Sequence, residues 1–273
     1  MTSHSSSIPA KVLSPELSDL AARLWAARQG GGTVDADAVT GPQSAAEAYG
    51  VQLEIIRLAG GDVAGFKVGS TSREAQLKLG TTEPGSCPVP AAFMSRSPAA
   101  FACDAGHHPS VEGEFALRLG RDLPPRSADY TVDDVRAAVD QVAGAIELVG
   151  TRFAGGLTDK GRLLITADCS ADMALVLGEV HAMAPGLDLR DHSVTMRING
   201  AENGAGTGAR ALGDPFNVLA WLANQQSRWG RGLKQGEWVA TGTCTGLDPV
   251  APGDHAVADF GDLGVVELTL DRG

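Results

Sequence analysis

The chain has 273 residues, enough for one substantial hydrophobic core, and a formal net charge of -11. That charge, without any cluster of Lys and Arg, excludes a protein that works by neutralising nucleic-acid phosphates. The polar opening lacks a basic start followed by an apolar core, and no later stretch stays apolar for about 18 residues, so neither a leader nor a membrane span is expected and the compartment expected is cytoplasmic.

In chain order, residues 1–14 read as a flexible tail. Ser14-Pro15 then caps and opens a helix carrying Leu17, Leu20, Ala21, Leu24 and Trp25 at helical spacing, stopped by Gly30-Gly31-Gly32. A second helix is expected from about Ser44 to Leu58, ended by Gly60-Gly61. Residues 15–64 therefore form a small N-terminal helical cap, and 65–273 a β-rich catalytic domain. Gly65–Gly69 reads as a short strand, Thr71–Gly80 as a brief helix, and Thr131–Asp134 as a capping box opening a helix to about Val142. Val194–Ile198 alternates and runs into Asn199-Gly200, a type I′ hairpin signal. Asp214-Pro215 starts a helix with Phe216, Val218, Leu219, Trp221 and Leu222, and alternation returns through Val266, Leu268 and Leu270. Gly204–Gly208 reads as a flexible loop near a pocket. Strands and helices do not alternate regularly, and no internal repeat is evident, so the class is α+β with a mixed, mostly antiparallel sheet.

The residues that stand out chemically are Glu112 and Glu114, which leave one face of a strand together, and Glu147 inside the apolar run Val142–Val149. Desolvated carboxylates demand compensation, so three of them point to a divalent cation, Mg²⁺ or Mn²⁺. The open positions of such an ion suit the carboxylate and 2-keto oxygens of a 2-oxo acid, with the metal as Lewis acid for an enolate. On spacing alone, Glu112 and Glu114 also fit the wet face of an edge strand. Lys67, between Phe66 and Val68, is a candidate general acid or base with a lowered pKa, or else an exposed strand lysine. Asp168 interrupts another apolar context and reads as a catalytic or water-binding group or as a turn residue. The 241–246 loop offers backbone N–H groups to an anion. His107 and His108 read as loop residues. Cys87, Cys103, Cys169 and Cys244 contain no Cys-x-x-Cys pair, and reduced thiols are expected.

Four groups of residues together carry a resemblance: Gly65-Phe-Lys-Val-Gly-Ser-Thr-Ser72, Glu112-x-Glu114 with Leu119–Leu123, Ala145-Ile-Glu-Leu-Val149, and the run from Asn199-Gly200 through Gly213–Asn224 to Leu233–Gly236. Over roughly residues 45–270 the chain resembles the 2-oxopent-4-enoate hydratase and 2-oxohex-3-enedioate decarboxylase family of the fumarylacetoacetate hydrolase superfamily. The resemblance implies a mixed β-roll and metal ligands at Glu112, Glu114 and Glu147. It also implies a catalytic Lys67 and a homo-oligomer able to associate with a related pathway enzyme. Catalytic help is expected from Asp168, and substrate contacts from Ser72, Ser170, Gly206 and Thr243. The activity implied is a metal-dependent lyase of aromatic catabolism, hydrating a 2-oxo-4-enoate. The alternatives are decarboxylation of a 2-oxo-3-enedioate, C–C hydrolysis of a diketo acid, and a non-catalytic partner subunit. Three stretches depart from the family. Pro84-Gly85-Ser86-Cys87 replaces Pro-Asp-Phe-Gly and lacks its carboxylate. Ala167–Asp172 replaces an Ala-Asp-Asn run, and Thr241–Gly246 is closer to the hydrolase branch.

Overall fold

Ser14 and Ser44 each place a side-chain oxygen on an orphan backbone N–H, of Leu17 and Glu47, and so start helices α1 (Pro15–Gly30) and α2 (Ala45–Leu58). The computed structural model describes residues 12–271, and most of the expected tail lies outside them. Four helices follow: α3 (Arg73–Lys78), α4 (Val132–Arg136), α5 (Gly161–Ala167) and α6 (Pro215–Arg228). The strands are β1 (Val63–Gly69), β2 (Gly85–Pro90), β3 (Met94–Arg96), β4 (Ala99–Ala102), β5 (Ser110–Leu119), β6 (Val139–Val149) and β7 (Asp172–Ala182). They continue as β8 (Ser193–Ile198), β9 (Ala201–Thr207), β10 (Trp238–Thr243), β11 (Asp248–Pro249), β12 (His255–Asp259) and β13 (Val265–Asp271).

These strands form two mixed sheets. One runs β2-β1-β10-β5-β6-β7-β3 with β11 beside β5, and the other runs β4-β13-β12-β8-β9. β1 with β10, β3 with β7 and β4 with β13 are parallel, and the remaining ladders are antiparallel. The class is α+β, as the irregular order of strand and helix signals implied. Alternating residues of both sheets interdigitate in one core. Phe115, Leu117, Val142 and Ile146 from the larger sheet share it with Met196, Ala258 and Val266 from the smaller one. The core closes over the apolar face of α6, through Phe216, Leu219 and Leu222.

Helices α1 and α2 pack on each other through a separate apolar cluster that also takes in Phe153, Ala167 and Cys169. Polar ties fix them to the body. Arg28 donates to the carbonyls of Asp172 (2.7 Å) and Met173 (2.6 Å), and Gln52 donates to those of Ser86 (3.1 Å) and Thr166 (3.0 Å).

Two expectations need correction, and one strand was not expected. The helix opened by the capping box of Thr131 and Asp134 stops at Arg136, because β-branched Val139 and Val142 are drawn into β6. Gly204–Thr207 is strand β9 rather than a flexible loop, continuing the Asn199-Gly200 turn, both of whose residues have positive φ. Its glycines are there for closeness, since a Cβ on Gly206 would lie 2.1 Å from the carbonyl oxygen of Cys244. Gly85–Pro90 is a strand the sequence concealed, because Pro88 and Pro90 suit only a sheet edge, where β2 lies.

Candidate metal centre

Strands β5 and β6 pair in antiparallel register with Glu112 opposite Glu147 and Glu114 opposite Ala145. Directly opposed residues and those two apart share a face, so the three carboxylates converge across one ladder. Each offers an oxygen within 4.8 Å of the others. Glu114 and Glu147 are fully buried, whereas Glu112 is half-buried and opens on a cavity of about 880 Å³ that also meets Lys67, Ser170 and Arg162. Gly242 N–H donates to Glu114 Oε2 at 2.8 Å, but Glu114 Oε1 and Glu147 Oε2 have no hydrogen-bond partner among the described residues. Orphaned buried oxygens of this kind need a ligand or a proton.

Lys67 is the counterion. Its Nζ lies 2.9 Å from Glu147 Oε1 at an angle too poor for a hydrogen bond, and it donates to the Ser170 carbonyl at 2.6 Å. Burial opposes its charge, yet Glu147, Asp172 and Glu112 outweigh burial and hold the ammonium above the ordinary lysine range. The expectation of a lowered lysine pKa is therefore corrected: with the cluster ionised, Lys67 is a proton carrier held in its charged form. One ammonium among three carboxylates leaves an excess of two negative charges, and hard oxygen ligands with that excess fit a divalent cation. Burial, then mutual repulsion, raises the carboxyls in the metal-free protein, Glu112 to about 8 and Glu114 well above the usual value.

That shift has a sign. In the unfolded chain Glu112 titrates near 4.5 and in the native protein at about 8, so between those values the native state holds a proton the unfolded chain has lost. Stability of the metal-free protein therefore falls as pH rises through that window, and the loss is complete above it. Thermal unfolding after chelation should give a Tm that drops between about pH 5 and about pH 8. Saturating Mg²⁺ should restore more at the upper end, because binding displaces protons. A metal-free Tm that rises across the window, with no greater Mg²⁺ effect at its top, would contradict the clustered carboxylates.

The remaining expected site residues are less tightly gathered. Ser170 lines the cavity. It sits within three consecutive residues of positive φ, Cys169 to Ala171, a strained turn that aims its carbonyl at Lys67. Ser72 spends its hydroxyl capping α3 through Ala75 N–H, and Gly206 serves the β9 approach; neither borders the cavity. Thr243 pairs with Glu114, but its hydroxyl accepts from Gly246 N–H and donates to the Gly246 carbonyl, so it shapes the loop beside the glutamates. Of the loop N–H groups expected to meet an anion, that of Gly242 donates to Glu114. His107 faces the Gly32 carbonyl at 2.8 Å.

Asp168 is committed elsewhere. Its Oδ1 takes Arg152 Nε at 2.6 Å, and its Oδ2 takes Arg152 N–H (2.8 Å) and the Thr151 hydroxyl (2.7 Å). A saturated, buried pair of this type is structural, and removing one partner strands the other charge. Asp168→Ala should lower unfolding free energy by about 3–5 kcal/mol in chemical denaturation. A change below about 1 kcal/mol with turnover lost would return Asp168 to the chemistry. Sequence reading did not single out Arg162 or Ser70, which line the cavity: Arg162 carries no periodic or motif signal, and Ser70 stands within the Gly65–Ser72 motif without a role of its own.

The fumarylacetoacetate (FAA) hydrolase C-terminal model matches residues 77–271, and the chain belongs to that family. It is 32% identical over 211 residues to a 2-keto-4-pentenoate hydratase of Paraburkholderia xenovorans, covering 77% of this chain and 76% of the relative. A 4-oxalocrotonate decarboxylase of Pseudomonas putida is 30% identical over 224 residues, covering 81% and 83%. Among solved structures, the 4-oxalocrotonate decarboxylase of Pseudomonas putida G7, complexed with magnesium and adipate, superposes with a TM-score of 0.84 at 26% identity, covering 95% of this chain and 99% of that one.

Proposed function

We propose that the protein is a divalent-metal-dependent lyase that hydrates a 2-oxo acid carrying a conjugated alkene. The observation that carries this reading is the buried set of Glu112, Glu114 and Glu147 with Lys67 at its edge, opening on a cavity large enough for a small organic acid. Glu112, Glu114 and Glu147 would hold Mg²⁺ or Mn²⁺, whose Lewis acidity makes a 2-oxo carboxylate an electron sink. Lys67 Nζ carries the proton that saturates the far end of the dienol, and the Ser170 carbonyl holds that ammonium in place. Val149 and Ile165 give the cavity an apolar wall for the carbon chain of the substrate. The relatives named as hydratases support the reading. The separate apolar cluster of α1 and α2 supports treating residues 15–64 as a cap on the β-rich body, and a β-roll and a homo-oligomer belong to the same proposal.

Decarboxylation of a 2-oxo-3-enedioate is the second reading. Gly85 favours it, because the family's hydratases usually carry a carboxylate there that is suited to water activation.

Ultraviolet absorbance and CO₂ release, followed together with Mg²⁺ on 2-hydroxypenta-2,4-dienoate, 2-hydroxyhepta-2,4-diene-1,7-dioate and 2-oxohex-3-enedioate, separate the two. Bleaching of either of the first two without CO₂ is the expected result. No bleaching of either by metal-saturated enzyme would sink the hydratase, and CO₂ from 2-oxohex-3-enedioate would install the decarboxylase.

A further inference from the structure

The place a side chain at position 85 would take is filled by the end of Arg162. A Cβ on Gly85 would lie 2.1 Å from Arg162 Nη2 and 2.7 Å from its Cζ, so the guanidinium occupies the volume such a side chain would fill. Across the β1–β2 ladder Gly69 pairs with Gly85 and Lys67 with Cys87. Lys67 and residue 85 are therefore diagonal neighbours on one face, ~7–8 Å apart at the backbone. A Cβ on Gly69 would come within 3.5 Å of Lys67 Nζ. The two glycines thus leave an open floor between an ammonium at the metal centre and a guanidinium at the other end.

Arg162 is partly buried and lines the same cavity as Lys67 and Glu112. Its Nη1 donates to Ser70 Oγ at 3.1 Å, and it forms no ion pair among the described residues. Exposed Asp159 also borders the cavity and Glu83 borders the smaller one beside it, but neither lies within ion-pairing distance of it; Lys78, also on the cavity, is paired with Glu74 at 2.9 Å. A half-desolvated guanidinium without an anion, in a chain of net charge -11, is incompletely satisfied. Its planar fork matches a carboxylate through two parallel N–H···O bonds.

We infer that Arg162 receives a second carboxylate on the substrate, at the end opposite the 2-oxo acid group, and that the chain selects 2-oxo dicarboxylic acids over 2-oxo monocarboxylic acids. The inference rests on the 2-oxo acid reading above. Selection follows from asymmetry, because a methyl-ended substrate would bury the guanidinium without a partner. A carboxylate held by a guanidinium is stabilised as the anion and is a poor group to expel as CO₂, so the assignment sits with hydration.

The test is calorimetric binding of 2-oxoadipate and 2-oxohexanoate, equal in carbon number, to the Mg²⁺-loaded protein. The wild type should bind 2-oxoadipate at least about tenfold more tightly. Arg162→Met should remove that preference by weakening 2-oxoadipate, with 2-oxohexanoate bound as tightly as by the wild type or more tightly, which also reports an intact site, and Arg162→Lys should restore part of the preference. Equal wild-type affinities, or a preference that survives Arg162→Met, would overturn the inference while the 2-oxo acid reading stands. Failure of both acids to bind the Mg²⁺-loaded wild type would overturn that reading and the inference with it.

Discussion

Glu114→Gln is expected to lower Mn²⁺ affinity by at least about 100-fold, since even outer-shell partners of a metal ligand are worth 10–100-fold. The glutamine is isosteric and its amide oxygen still accepts from Gly242 N–H, so the backbone of β10 keeps its partner. What disappears is one of three hard anionic donors and one of the two excess negative charges. The variant should fold at least as well without metal, because burial and then the charges of Glu147 and Glu112 push the native Glu114 carboxyl well up. Titration calorimetry with a Tm on the metal-free form reads both effects. Stoichiometric Mn²⁺ binding at wild-type affinity would remove Glu114 from the centre.

Lys67→Met should cost about 10²- to 10⁴-fold in turnover, the range of general acid–base catalysis, while metal is retained. Methionine fills the 3% exposed slot between Phe66 and Val68 but carries no proton. Loss of the ammonium leaves Glu147 without its counterion at 2.9 Å, a vacancy that a divalent cation compensates. Mn²⁺ affinity should therefore hold or increase as turnover falls. Turnover at the wild-type level would place the proton transfer elsewhere, and turnover lost together with metal would make Lys67 a structural counterion.

Local signals were readable where the chain itself carries the cause. Ser14, Ser44 and Asp214 cap helices where their spacing said they would, and Asn199-Gly200 turns the hairpin because both residues accept positive φ. The glutamates were legible for the same reason, since a period of two puts Glu112 and Glu114 on one face and only an apolar run surrounds Glu147. Where the cause is tertiary, the sequence is silent or misleading. Asp168 meets Arg152 through a fully buried ion pair that no spacing announces. The pKa of Lys67 turns upward because β6, β7 and β5 deliver the carboxylates of Glu147, Asp172 and Glu112 to it, so the apolar flanks of the lysine point the wrong way. Gly85 was visible as a departure from the family pattern, but the arginine that fills its place comes from 77 positions further along the chain, on α5.

Crystals grown with Mn²⁺ and measured at the manganese absorption edge test the metal centre most directly. The expected result is a single strong anomalous peak bounded by the carboxylates of Glu112, Glu114 and Glu147, with Lys67 beside it. A peak away from these three side chains, or none in crystals saturated with Mn²⁺, would contradict the three-glutamate centre.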